Sequence, residues 1–389
     1  MLYIFTNIGP GNGPYIRTIE MGFELIQLLR EQLDEDIRII VPWAYGEKQK
    51  CIIFEEFDDN LKKDANSLLL DKYLGQQFKK ILYDGRNYNA YMLDLVNSYD
   101  RVENNIQEYL KKDFIAENIN GEKVNVHGEN ILLEVSRNPC VATGIKFSYY
   151  TSIGYFEKII KESLNIPNLN LKNDLLAKVL KIARKVESYQ QLYFQPEPNC
   201  FSFEKNKKSF KDNEIKCPPL FHPPVENVQK IEEGCYLLVS GIPHLESMYQ
   251  IANKLKLKIY ISQNIKNIEE AQRERPNIIS NKNIKFVLAR AAWNTIWLSN
   301  LSKKPLICLN YINGDSPEIY FNIISVKKRN LGIIFNEKED INDLIERSKS
   351  LLPKVVDFYS QVKQKFNTFN GIEYSCKRIA RDFLEKFNQ

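Results

Sequence analysis

Between residues 235 and 352, short apolar runs alternate with helical patterns at a nearly even spacing, and few architectures other than a parallel sheet can use such a string. The runs Cys235–Ser240, Lys258–Ser262, Ile284–Leu288, Pro305–Leu309 and Gly332–Phe335 are too short for helices. His244–Leu255, Trp293–Leu301, Glu318–Lys328 and Ile341–Leu352 repeat apolar residues near the helical period. A strand carried back to its sheet by a helix lies parallel to its neighbour. The second half therefore reads as a parallel sheet with helices on both faces.

The first half begins in the same way. Leu2–Asn7 is an apolar run, and Gly9 to Gly13 form a glycine turn. Pro14 suits the first turn of a helix, where its missing N–H costs nothing. Ile19, Phe23, Ile26 and Leu29 continue that helix, and Ile37–Val41 is the next strand, which completes a βαβ unit. Further on, Ala65–Leu82 and Ala90–Leu110 read as helices and Ile131–Val135 as a buried strand. Leu171–Phe194 reads as an amphipathic helix with Leu175, Val179, Ile182, Val186 and Tyr189 on one stripe. From Gln195 to Glu233, prolines flank a lysine-rich polar stretch, the composition of a linker or surface excursion. The expected division is a first domain at 1–195, a linker at 196–233, a second domain at 234–370 and a closing helix at 371–389. A chain of 389 residues is long enough for two such cores.

The net charge of +5 is spread over alternating basic and acidic residues, which argues against a nucleic-acid partner. It suits an anionic small ligand or an anionic membrane surface. Seven cysteines without a C-x-x-C pair predict neither a disulfide framework nor a zinc site, and a reducing, cytoplasmic setting fits. No apolar run reaches the ~20 residues that span a bilayer. Aromatics near Tyr149–Phe156 can line a pocket or touch lipid peripherally.

Two turns carry candidate chemistry. Ala289-Arg290-Ala291-Ala292-Trp293-Asn294-Thr295 lies where a strand ends and a helix begins, and such a helix N-terminus offers N–H groups and partial positive charge to a phosphate. Arg290 adds a full charge, small Ala292 permits close approach, and Asn294 and Thr295 either cap the helix or donate to phosphate oxygens. After the next strand, Asp315 and Glu318 can accept hydrogen bonds from sugar hydroxyls; alternatively Ser316, Pro317 and Glu318 simply start a helix. The turn at Gly11 and Gly13 follows a strand as in many Rossmann-like units, most of which bind dinucleotides, and with Gly241 and His244 it is a further phosphate-side candidate; alternatively His244 belongs to the cap of the helix it starts.

The run RAAWNTIWLSNLSKKPLICLNYINGDSPEIYFN resembles the donor-binding segment of GT-B glycosyltransferases, in particular the UDP-glycosyltransferase and MurG-like group. Trp293, Asn294, Thr295 and Pro305 match in register, Asp315 falls on the Asp of the family's D-Q pair, and Asn322 falls on the Asn of the following helix. The resemblance covers about residues 235–385. It departs at Arg290 for the family's His, at Ala291 and Ala292 for two glycines, at Leu298 for the ribose-binding Glu, and at Ser316 for the Gln. It implies an α/β chain with two Rossmann-like domains facing across a cleft. The nucleotide sugar would lie against the second domain and the acceptor, a small molecule, glycan, lipid or protein, against the first. It also implies sugar transfer without a metal or bound cofactor, the nucleotide sugar being the donor substrate. The alternatives on this fold are a nucleotide-sugar epimerase and a binding protein without catalysis. The family's catalytic His is absent after the first glycine turn, where Pro14 and Tyr15 stand. Tyr15 and Glu134, the latter at the end of the run Ile131–Val135, are the candidates for the base.

Overall fold

The computed structural model describes the chain apart from residues 10, 84–86, 168, 170, 205–208, 239–254, 263–270, 313–314, 336–337 and 388–389. Two compact units emerge: Met1–Pro196 with Lys208–Leu220 and Ile372–Gln389, and Glu197–Lys207 with Phe221–Gly371.

The sheet of the first unit contains β1 (Leu2–Asn7), β2 (Ile37–Pro42), β3 (Leu68–Asp71), β4 (Phe114–Asn118), β5 (Lys123–Val126), β6 (Ile131–Arg137), β7 (Ser148–Thr151), β8 (Leu192–Pro196) and β9 (Glu214–Cys217). Their order is 5-4-3-2-1-6-7-8-9. All neighbours are parallel except at β3–β4 and β4–β5, a hairpin that closes one edge. Helices α1 (Asn12–Leu33), α2 (Glu47–Lys63), α3 (Lys72–Lys79), α4 (Tyr88–Leu110), α5 (Phe156–Glu162) and α6 (Asn173–Ser188) connect the strands. Ile4, Phe5, Ile39, Ile40, Leu69, Leu133 and Tyr149 are fully buried, as expected for parallel strands covered on both faces.

Three sequence expectations are corrected here. The helix expected over Ala65–Leu82 contains β3, whose Leu68, Leu69 and Leu70 are all buried between β2 and β4. A strand buried on both faces has no alternation to reveal it. The helix expected to run to Phe194 stops at Ser188, and its last apolar residues form β8. The proline-rich stretch read as a linker supplies β9, which pairs with β8 in the register Tyr193↔Glu214, while residues 197–207 belong to the second unit.

The second sheet holds β10 (Gly234–Leu238), β11 (Lys258–Ile261), β12 (Gln272–Arg273), β13 (Ile284–Ala289), β14 (Leu306–Cys308) and β15 (Ile333–Ile334), all parallel, in the order 12-11-10-13-14-15. This is the doubly wound 3-2-1-4-5-6 arrangement. With it go α7 (Trp293–Leu301), α8 (Pro317–Arg329) and α9 (Ile341–Phe366). Leu237, Ile259, Phe286, Leu288, Ile307 and Leu344 form its core. The helix α9 runs through Pro353, beyond the expected end at Leu352, because Val355, Tyr359 and Val362 extend the buried stripe begun by Leu344 and Ser348. That burial offsets the hydrogen bond that proline removes. The last helix, α10 (Gly371–Phe387), belongs to the first unit. There Phe383 meets the Phe147 ring edge-on at 5.2 Å, and Tyr149 donates to Asp382 at 3.0 Å. Among the described residues, no helix is long and apolar enough to cross a membrane.

The buried rings of Tyr150, Tyr155 and Tyr193 pack together, and the Tyr150 hydroxyl meets the Glu187 carboxylate of α6. This carboxylate accepts from the Phe156 N–H at 2.6 Å and from the Tyr150 hydroxyl at 3.1 Å, and Lys211 Nζ stands 3.5 Å away. Burial pushes this carboxyl up to about 7, with Lys211 acting in the opposite direction. The unfolded value is about 4.3, so the folded state prefers the protonated form. The group's contribution to stability is full below about pH 4.3 and is lost as pH rises toward 7. Glu187→Gln, which mimics the protonated acid, is expected to stabilise more at pH 8 than at pH 5, by about 2 kcal/mol, as read from urea denaturation at both pH values.

Candidate functional site

In an open parallel sheet a ligand binds beyond the carboxyl ends of the strands, where the strand order reverses. In the second unit that point lies between β10 and β13. The Arg290 N–H donates to the Leu238 carbonyl at 3.2 Å, so the turn leaving β13 closes onto the end of β10. Gly241 and His244 lie outside the described residues.

The helix α7 starts at this turn. Ala292 stands at its N-cap with extended backbone, and no side chain among the described residues caps it. The Ala292 carbonyl takes the N–H groups of Thr295 and Ile296, both at 3.0 Å. Thr295 is buried, and two buried polar atoms, Trp293 Nε1 and Asn294 Oδ1, have no hydrogen-bond partner among the described residues. Neither Asn294 nor Thr295 therefore acts as the cap that local reading allowed.

The turn is held from α8 and from the chain before β9. Asn322 Nδ2 donates to the Ala291 carbonyl at 2.7 Å, while Asn322 Oδ1 accepts from Cys200 Sγ at 2.9 Å. Ser325 Oγ donates to the Cys200 carbonyl at 2.6 Å, and Trp297 Nε1 donates to the Pro198 carbonyl at 3.2 Å. The segment around Cys200 is thus a clamp on α7 and α8. Its prolines and polar residues, with Phe201 and Phe203 among them, follow neither a helix nor a strand period, so no local pattern marks this role.

The expected phosphate and sugar contacts, Arg290 and Asp315, are bound to each other. Arg290 Nε donates to Asp315 Oδ2 at 3.0 Å, and Nη2 donates to Oδ1 in the same bidentate pair. Asp315 Oδ1 also accepts the Ser316 N–H at 2.7 Å, and the Tyr311 hydroxyl donates to the Asp315 carbonyl at 2.9 Å. Both side chains keep part of their surface in water, 26% for Arg290 and 17% for Asp315. Burial lifts the Asp315 carboxyl above its ordinary range, and the Arg290 charge acts against it. Glu318, in the first turn of α8, accepts from Asn322 Nδ2 at 3.4 Å.

The corresponding reversal in the first unit lies between β1 and β6 and is filled differently. A Cβ on Gly9 would stand 2.5 Å from the Asn138 carbonyl oxygen, so only glycine lets these chain ends meet. Gly11 has φ +88°, and its N–H is taken at 3.0 Å by the Tyr45 hydroxyl. Gly13 lies in the first turn of α1. Tyr15 is fully buried with its ring stacked on Tyr45 at 5.7 Å, and burial raises its hydroxyl far above the ordinary range. Glu134 does not end its strand, which continues to Arg137. Its carboxylate is fully buried and accepts from Asn7 Nδ2 at 3.1 Å, Ser148 Oγ at 2.9 Å, the Tyr189 hydroxyl at 2.9 Å and Thr143 Oγ1. Burial raises this carboxyl despite its four donors. With every oxygen engaged inside the core, it joins β1, β6, β7 and the end of α6.

No family model matches the sequence, and no curated protein does. Solved structures match over the whole chain. UGT2 of Phytolacca americana, complexed with UDP-2fluoro-glucose and pterostilbene, shares 10% identity, with 100% of both chains covered and a TM-score of 0.60. A UDP-glucosyltransferase from Polygonum tinctorium capable of glucosylating indoxyl shares 10% over 98% of each chain, with a TM-score of 0.58. CalG4, the calicheamicin glycosyltransferase, shares 12% over 99% of this chain and 98% of its own, with a TM-score of 0.52. The chain has the GT-B fold.

Within this GT-B chain, the motif residues Arg290, Asn294, Asp315 and Asn322 gather at one strand-order reversal, whereas the two candidate bases are sealed in the first unit's core. Glu134→Ala would remove the acceptor shared by four buried donors, of which Asn7, Ser148 and Tyr189 keep a second acceptor, and would leave a cavity in the core. It is expected to destabilise the protein by about 3 kcal/mol or more, checked by thermal and urea denaturation.

Proposed function

We propose that this GT-B protein transfers a sugar from a nucleoside diphosphate sugar to an acceptor. The observation that carries the reading is the uncapped N-terminus of α7 at the strand-order reversal, with the Arg290 guanidinium on the same turn. A departing nucleoside diphosphate gathers negative charge, and N–H groups, a helix dipole and a fixed cation stabilise it without reorganising. Because a full positive charge and a helix terminus address the same diphosphate, we take the transfer to be metal-independent, with no bound cofactor beyond the donor itself. Uridine is the first base to test, since two of the similar structures are described with UDP or UDP-2fluoro-glucose. The acceptor, whose class is open among small molecules, glycans, lipids and proteins, gives its proton to a group other than Glu134 or Tyr15, which are both buried.

That burial favours a second reading, a GT-B protein that binds a nucleotide sugar without turning it over. So does Leu298, which occupies the family's ribose-binding position and is itself buried. A panel of UDP-, GDP- and TDP-sugars separates the readings. Release of nucleoside diphosphate supports transfer, appearance of an epimer supports an epimerase, and calorimetric binding without turnover supports the second reading. Loss of a hydrogen bond to a charged group costs ~1.5–3 kcal/mol, so Arg290→Ala is expected to weaken UDP binding roughly tenfold to a hundredfold. Unchanged affinity by calorimetry would remove Arg290 from the site.

A further inference from the structure

Arg290 and Asp315 come from turns after neighbouring strands, and their pairing uses one edge of the guanidinium only. Nε and Nη2 go to the carboxylate, and Nη1 makes no hydrogen bond to any described residue. A guanidinium carries five N–H donors in a rigid plane, so a side-on carboxylate leaves the opposite edge free and fixes where it points. The carboxylate is itself fixed: the Ser316 N–H holds Oδ1 and the Tyr311 hydroxyl holds the residue's carbonyl. Asn322, from the helix that Asp315 precedes, holds the Ala291 carbonyl one residue beyond Arg290. The start of α8 therefore grips the Arg290–Ala291 turn at two points, one on the side chain and one on the backbone.

We propose that Asp315 is a positioning residue for the nucleotide, acting through Arg290 rather than by contact with the sugar. It holds the guanidinium by its Nε–Nη2 edge so that the Nη1 edge is offered to an oxygen of the diphosphate at the start of α7. An unrestrained arginine gives up rotamer freedom when it is immobilised, and a side chain already held by a carboxylate has given up most of it before the ligand arrives. The inference rests on the reading of α7 as the diphosphate site.

The test is a double-mutant cycle read by calorimetry with UDP alone, a ligand that has no sugar to contact. Asp315→Asn keeps the size of the side chain and loses the bidentate hold, and it is expected to weaken UDP three- to tenfold. In the Arg290→Ala background, the same substitution is expected to change UDP affinity by less than about twofold, because its effect passes through the missing guanidinium. Unchanged or tighter UDP binding by Asp315→Asn would overturn the proposal, tighter binding meaning that Asp315 competes with the phosphate for Arg290. An equal loss in both backgrounds would also overturn it, as would a loss matched by an equal fall in unliganded melting temperature, the mark of a merely structural residue. If the unaltered protein binds neither UDP nor GDP nor TDP, the diphosphate site itself is wrong and the proposal goes with it. That outcome is distinct from UDP binding that ignores Asp315.

Discussion

Parallel pairing is the constraint on which the rest of this molecule depends. When every strand runs the same way, each connection must leave from the carboxyl edge of the sheet and return across a face. Successive connections wind one way from the first strand and then the other, and where the direction changes their turns part. Both units contain that reversal, at β1–β6 and at β10–β13. Glycine at position 9 and the bond from Arg290 to Leu238 show how closely the chain ends approach at these points. The position of the candidate site follows from topology before any side chain is considered.

What occupies the two reversals differs, and burial explains the difference. Around Glu134 the protein has buried a carboxylate completely and surrounded it with four donors, the condition under which a charged or protonated acid survives in a core. Such a group organises its neighbours and is closed to substrate. Around Arg290 the ion pair keeps contact with water, and no described side chain caps the adjoining helix terminus. There the Thr295 N–H turns back to the Ala292 carbonyl. The same architecture thus closes one reversal over a buried carboxylate and sets at the other an ion pair that keeps contact with water.

Parts of both units were legible from residue order. The runs at Leu2–Asn7, Ile37–Val41 and Ile284–Leu288 are strands, and the turns near Gly9 and Arg290 do start helices. The strand β3 was hidden because Leu68–Leu70 face apolar neighbours on both sides, where strand and helix look alike. The strand β9 was hidden because Glu214–Cys217 is a short edge strand with two charged residues, set among prolines and lysines. The full length of α9 was hidden by Pro353, since a breaker weighs more in a local reading than the packing that overrides it.

The sequence by itself determined the doubly wound α/β class, the alternation of the second half and the turns that begin α7 and α8, because these depend on apolar period and turn chemistry carried by neighbouring residues. Which side chains meet was decided only in three dimensions. Asp315 lies 25 residues from Arg290, Cys200 lies 122 from Asn322, and Glu134 lies 127 from Asn7. No local pattern encodes such pairs. The identity of a carboxylate says what it can accept, but whether it grips an arginine, faces a sugar or is sealed among hydroxyls depends on which strands the fold sets side by side and how much water is left between them.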